Sequence, residues 1–281
     1  MQLLVWVVDG VHAVLGPILV CGVLSLLAFL VGSFYVVILP HAAATFAWPI
    51  GWVGAYLFVQ VSVHYVLCVC TNPGRLVDVN PPSEGLRNDD DNADPKADLA
   101  HLGICRHCDV AKPPHAHHCH ACGVCVLDLD HHCVWVHNCI GRFNYCYYWR
   151  FLLFTWLTCF FVALVSYVAI HADRHDTTFS TFDLHVRLPY ALCLCIGLVV
   201  LGLWLWHVYI ALAGVTTLEA IIRYRTRQAT IPLTWAMMQR NVRQKVGSLW
   251  DSLVPPIATV FAKRKFGLPS KHSAAQYECV A

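Results

Sequence analysis

Between Cys105 and Cys139 the chain places seven of its fifteen cysteines, and between His101 and His137 nine of its seventeen histidines. The order is Cys105-x2-Cys108, then His118-Cys119-x2-Cys122-x2-Cys125, then Asp130-His131-His132-Cys133, then Cys139. Thiolates and imidazoles offered in short C-x2-C pairs suit zinc, which takes four such ligands in a tetrahedron. Two ions need eight donors. Cys105, Cys108, Cys119, Cys122, Cys125 and Cys139, with His118 and His132, supply them and leave Cys133 as the one cysteine of the segment without a metal.

Cys133 follows a carboxylate and two imidazoles. A free thiol ionises near pH 8.5, and a neighbouring imidazole or positive centre lowers that value, so the thiolate, which is the nucleophile, is populated at neutral pH. In this reading His131 is the general base and Asp130 fixes the tautomer and orientation of the imidazole. Residues so close in sequence are expected to reach one another in a tight bend imposed by eight metal bonds. The competing reading is a two-zinc binding module without catalysis, in which His131 and Cys133 are spare ligands. A RING-type ubiquitin ligase fits less well, because RING spacing has long gaps that this cluster lacks. His107, His115, His117, His120 and His137 are expected to be exposed polar residues of a metal-rich loop.

The elements that must hold this segment are apolar. Apolar residues make up 58% of the 281 and charged ones 13%, the balance of a membrane protein. A span needs roughly 20 apolar residues, and four stretches qualify: residues 11–39, 50–70, 149–171 and 188–213. A cleaved signal peptide would want a basic leader before the first run, where Asp9 is the only charge. Pro40 and His41 are expected to end the first span. Asn72-Pro73-Gly74 closes the second with turn chemistry, and Phe46, Trp48 and Trp52 suit interface depth. Residues 1–10 form a short N-terminus, 71–100 an acidic linker containing Asp89 to Asp91, 101–148 the Cys/His domain, 172–187 a polar loop and 214–281 a tail.

No Lys or Arg precedes Arg75; of the nineteen, seventeen fall on the side of the Cys/His loop and the tail, and two fall on the other. By the positive-inside rule the loop and both termini are cytosolic. Fifteen cysteines in a secreted chain would suggest disulfides; in a reducing compartment zinc is favoured. The fold class expected is an all-α integral membrane protein, four transmembrane helices with a cytosolic zinc-binding domain between spans two and three. The basic residues sit beside apolar spans, which points to an anionic leaflet and away from nucleic acid. For Lys263-Arg264-Lys265 plain membrane anchoring is the reading.

The order Cys105-x2-Cys108, Lys112-Pro113, His118-Cys119-x2-Cys122-x2-Cys125, Asp130-His131-His132-Cys133, Trp135, Asn138-Cys139-Ile140-Gly141 and Asn144 closely resembles the DHHC protein S-acyltransferases, or palmitoyltransferases. Asn72-Pro73-Gly74 is similar to the family's Asp-Pro-Gly motif, and Thr216-Thr217-Leu218-Glu219 to its TTxE motif. The resemblance implies that Cys133 takes a long-chain acyl group from acyl-CoA and passes it to cysteines of membrane-associated proteins, with His131 as base and Asp130 as orienter. It implies one zinc on Cys105, Cys108, His118 and Cys125 and a second on Cys119, Cys122, His132 and Cys139. It places Trp135 beside the reacting thioester, makes Lys112 a substrate-binding residue and sets Thr217 near Asp130. The acyl chain would lie among the helices. Golgi, endoplasmic reticulum and plasma membrane are all open to such a protein, the first two ahead of the third. Two positions depart from the family: Val134 stands where proline is usual, and His115 where arginine is usual. The family's C-terminal aromatic and asparagine are not assigned; Asn241 and Trp250 lie at a different spacing.

Overall fold

The computed structural model describes residues 2–42, 47–79, 103–172, 183–228 and 233–248. Most of the acidic linker, the Lys263 cluster, Trp250 and Cys279 lie outside these residues. Among the described residues four helices are long and apolar enough to cross a membrane: Val14–Ala42, Ala47–Cys70, Tyr145–His171 and Leu184–Ala213. The first is α1 (Gln2–Ser33), a π-helical turn (Phe34–Ile38) and α2 (Leu39–Ala42) in series. It passes Pro40, where the sequence suggested an end. The wide turn has already interrupted the i→i−4 ladder, so a residue without an N–H is tolerated just after it.

Helix α3 (Ala47–Cys70) is the second span and α5 (Tyr145–Ala172) the third, the latter starting four residues ahead of residue 149. Asn144 makes the early start possible. Its Oδ1 accepts the Gly141 N–H at 2.9 Å and its Nδ2 donates to the Cys139 carbonyl at 2.8 Å, while its own carbonyl accepts the Tyr148 N–H. At the fourth span a π-helical turn (Asp183–Arg187) leads into α6 (Leu188–Ala213), so the end of the expected polar loop is helical. Helix α6 stops in a Schellman motif. Gly214, at φ +71°, donates to Ala211 and Val215 donates to Ile210, the pairing that satisfies the last carbonyls and needs a left-handed residue best supplied by glycine.

The spans pack around two large cores and a smaller one of Leu57, Val61 and Phe154. One large core, including Phe34, Ile38, Phe58, Val162 and Cys193, lies among helices alone. The other joins Tyr65, Cys68, Tyr145 and Ile210 of the helices to Cys133 and Ile140 of the Cys/His segment. That segment is not helical. It folds as three antiparallel hairpins: β1 (Gly103–Ile104) with β2 (Ala111–Lys112), β3 (Ala116–Cys119) with β4 (Val124–Leu127), and β5 (His131–Cys133) with β6 (Asn138–Ile140). Short extended pairs suit a segment whose ligands come two by two, so the all-α expectation holds for the spans and not for this domain.

The hairpins are laced to the helix ends. Asn72 Oδ1 accepts the N–H groups of Gly74 and Arg75, and the carbonyls of Gly74 and Pro73 accept from Leu127 and Phe143. A short helix, α4 (Leu76–Val79), follows that turn. Asn138 Nδ2 lies within 3.3 Å of the carbonyls of Cys68, Val69 and Thr71. Those acceptors at the end of α3 have no intrahelical donor, so hairpin β5–β6 caps the second span. At Gly141 a Cβ would lie 2.6 Å from the Pro73 carbonyl oxygen and 2.9 Å from that of Leu127, which is why only glycine fits there.

Candidate active site and metal centres

Hairpin geometry gathers the ligand types in two places. Cys105, Cys108, His118 and Cys125 offer one donor each within 4.8 Å of one another, and so do Cys119, Cys122, His132 and Cys139. In the first set His118 Nδ1 lies 3.7, 3.2 and 3.9 Å from the three sulfurs, and Cys108 and Cys125 are 3.8 Å apart. In the second, His132 Nδ1 lies 3.7, 3.3 and 3.7 Å from its three sulfurs. A tetrahedron with metal–sulfur bonds of about 2.3 Å and metal–nitrogen bonds of about 2.0 Å has edges of roughly 3.5 to 3.8 Å. Both sets could hold a metal ion. The register interleaves them: His118 pairs with Cys125 across β3–β4, and Cys119 pairs with Val124, so neighbouring residues serve different centres.

The same alternation sorts Asp130-His131-His132-Cys133. No tight bend is formed; residues 131 to 133 are the strand β5. Side chains two apart on a strand share a face, so His131 and Cys133 point one way while His132 points to the second metal set. Asp130 Oδ2 accepts from His131 Nδ1 at 2.8 Å, which leaves Nε2 for the Cys133 side. Asp130 Oδ1 accepts the backbone N–H of Thr217 at 2.7 Å, and the residue is 2% exposed.

Charge follows geometry here. Burial opposes ionisation of Cys133, but the bond and charge of His131 and the backbone N–H groups of Val136 and Trp135 outweigh it and lower the thiol pKa. Burial likewise disfavours the His131 cation, yet Asp130 and Cys133 raise its pKa to about 9. Asp130 is held below the usual carboxylate range: burial is overcome by His131, His207 and the Thr217 amide. The arrangement brings a buried carboxylate, an imidazole and a thiol together, with the thiol shifted toward its ionised form and the imidazole toward its cation. Tyr148 and His207 close the far side of His131, at ring-centroid distances of 5.2 and 6.2 Å.

Thr217 reaches Asp130 because it opens a helix. Helix α7 (Thr217–Arg225) is N-capped by Thr216, whose hydroxyl accepts from Glu219 N–H while Glu219 returns a bond to the Thr216 N–H, a capping box. The carboxylate of Asp130 therefore meets the positive end of a helix. Glu219 also pairs with His115 at 2.5 Å, so this imidazole ties α7 to the metal domain. Trp135 sits 58% exposed in the turn after Cys133, its carbonyl accepting from Tyr65 OH at 2.9 Å. Lys112 ends β2, half-buried and outside this cluster.

Asn241, which spacing did not single out, is placed by the tail. Its amide donates to the Leu212 carbonyl at 2.9 Å and fills the space over Gly214, where a Cβ would lie 2.7 Å from Nδ2. It belongs to α8 (Trp235–Val246), N-capped by Thr234. A Thr cap, a helical alternation of apolar and basic residues and Gly247 mark this helix in sequence; which carbonyl Asn241 meets has no such mark.

Four apolar helices bearing a Cys/His domain with a buried thiol, imidazole and carboxylate fit a multi-pass membrane protein. Residues 100–223 match the family described as DHHC palmitoyltransferase. The chain belongs to that family. It is 30% identical over 231 residues to palmitoyltransferase pfa3 of Aspergillus fumigatus, covering 77% of this chain and 41% of the relative. It is 31% identical over 176 residues to palmitoyltransferase ZDHHC16A of Danio rerio, covering 61% and 41%. It is 32% identical over 218 residues to "Probable protein S-acyltransferase 13" of Arabidopsis thaliana, covering 73% and 66%. The chain thus spans less than half the length of the first two.

Proposed function

We propose that the protein is a protein-cysteine S-acyltransferase, moving a long-chain acyl group, palmitoyl above all, from acyl-CoA to Cys133 and then to cysteines of membrane-associated proteins. The observation that carries this reading is the line from the Thr217 amide through Asp130 and His131 to Cys133, set at the foot of four apolar helices. The Cys133 thiolate attacks the thioester carbonyl; the carbon–sulfur bond to CoA breaks, and the CoA thiolate takes the proton held by His131. In the second step His131 removes the proton of an incoming substrate thiol, which attacks the acyl-Cys133 carbonyl and releases the Cys133 thiolate. Each step exchanges one thioester for another, so positioning by Asp130 and His131 is the main task.

Cys105, Cys108, His118 and Cys125 would hold one zinc, and Cys119, Cys122, His132 and Cys139 the other. Zinc there cross-links the hairpins and neutralises their thiolates. The uneven spread of Lys and Arg supports a cytosolic domain and cytosolic termini, and the membrane in this reading is that of the Golgi or endoplasmic reticulum. There the acyl chain enters the helix bundle while the thioester stays at the surface with Cys133. Trp135 flanks the thioester and Lys112 faces CoA phosphates. Purified protein given labelled palmitoyl-CoA is expected to carry hydroxylamine-sensitive label on Cys133 and to pass it to a substrate peptide. No label, or equal label in Cys133→Ser, refutes the reading.

A further inference from the structure

The tail helix α8 meets the site through one unusual side chain. Lys245 is on its last turn, and its Nζ donates to the Val215 carbonyl at 2.7 Å and lies 5.3 Å from the centre of the Tyr145 ring. Val215 is the residue after the Schellman glycine, buried, with its own N–H on Ile210. Two residues on, the Thr217 N–H holds Asp130. The carbonyl that Lys245 grips and the amide that holds Asp130 thus lie two residues apart, one in the turn after α6 and the other on the first residue of α7.

Two further bonds keep Lys245 in place. Asn241, one helical turn earlier, is on the Leu212 carbonyl. Arg150 of α5, itself fully buried, donates Nη2 to the carbonyl of Val246 at 3.2 Å, a cation on a carbonyl at a helix C-terminus. On the other side, Tyr145, whose ring Lys245 covers, places its OH 3.2 Å from His207 Nδ1, and His207 stands behind His131. Lys245 therefore touches both supports of the Asp130–His131 pair: the turn in front and the aromatic wall behind.

We infer that Lys245 is a positioning residue: from the tail helix it holds the Val215 carbonyl and so sets the turn leading to the Thr217 amide that clamps Asp130. A methionine of similar length would fill the space without bonding the carbonyl; an arginine would keep a charged donor. The inference rests on the acyl-transfer reading for its kinetic consequence and on geometry alone for its structural one.

Hydrogen exchange of the amides of 215–218, followed by mass spectrometry on full-length protein in detergent without acyl-CoA, tests the geometry. Lys245→Met is expected to speed exchange there roughly tenfold, leaving α5 and the upper part of α6 unchanged, while Lys245→Arg stays near the parent. In the labelling assay Lys245→Met is expected to lower the rate of Cys133 acylation roughly tenfold at unchanged KM for acyl-CoA, with Lys245→Arg restoring most of it. Unchanged exchange at 215–218, or a rise spread equally over α5 and α6, overturns the inference. If Lys245→Met does not fold, Lys245→Gln carries the same two readouts. A parent protein that takes no acyl group refutes the proposed function and leaves the exchange result standing.

Discussion

The backbone N–H of Thr217 ends 2.7 Å from Oδ1 of Asp130, joining residues 87 apart in the chain. A carboxylate buried to 2% exposure needs charge-assisted donors, and this amide and His131 Nδ1 are the two that meet its oxygens. Proline at position 217 removes the amide and is compatible with the first position of a helix. Thr216 already has the extended backbone that a residue before proline adopts, at φ −88° and ψ 163°. Thr217→Pro is expected to slow Cys133 acylation by about 10- to 100-fold, the kinetic equivalent of a charged hydrogen bond worth about 1.5 to 3 kcal/mol. Thr217→Val, which keeps the amide and loses only the hydroxyl that accepts from Trp206, is expected to stay within about threefold of the parent.

His131→Ala is expected to lower the rate of Cys133 acylation by roughly 10² to 10⁴, the range for loss of a positioned acid–base group. Cys133→Ser should abolish hydroxylamine-sensitive label altogether. Labelled palmitoyl-CoA and peptide mass spectrometry check both. A His131→Ala protein as fast as the parent would remove His131 from the mechanism.

Metal content tests the two ligand sets separately. Elemental analysis of the purified protein is expected to give two zinc ions per chain, falling to one in Cys125→Ser and in Cys139→Ser. Stripping the metal with a strong chelator should lower the thermal midpoint and stop acylation, because the buried clusters of the hairpins are built around the ligand cysteines. One ion per chain in the parent would break the assignment into two sets.

At Gly141 a Cβ would meet Val126 Cγ1 at 2.7 Å and two backbone carbonyl oxygens at 2.6 and 2.9 Å, and the carbonyls cannot turn aside as a side chain can. Gly141→Ala is expected to cost about 1 to 3 kcal/mol, the usual penalty of overpacking, read as a lower thermal midpoint. The contrasting substitution is Gly123→Ala: its Cβ meets nothing within 4 Å, so only the strain of φ +66° remains, about 1 kcal/mol.

The amino-acid sequence by itself determined the four apolar spans, the eight donors of the two metal sets and the nearness of Asp130, His131 and Cys133. Those features are carried by side-chain type and short spacing, which survive as a linear pattern. What only the tertiary structure decided is how they are aimed. Strand β5, and not a bend, turns His131 and Cys133 to one face and His132 to the other, since that choice depends on pairing with β6. The helix ends depended on long-range partners too: α5 starts early because Asn144 closes the turn before it. Thr217, Lys245 and Asn241 act on or through backbone amides and carbonyls. Every residue but proline carries an N–H and all carry a C=O, so no residue type marks the amide that will meet Asp130 or the carbonyl that will meet Lys245. Only the packing of α7 and α8 against the hairpins selects them.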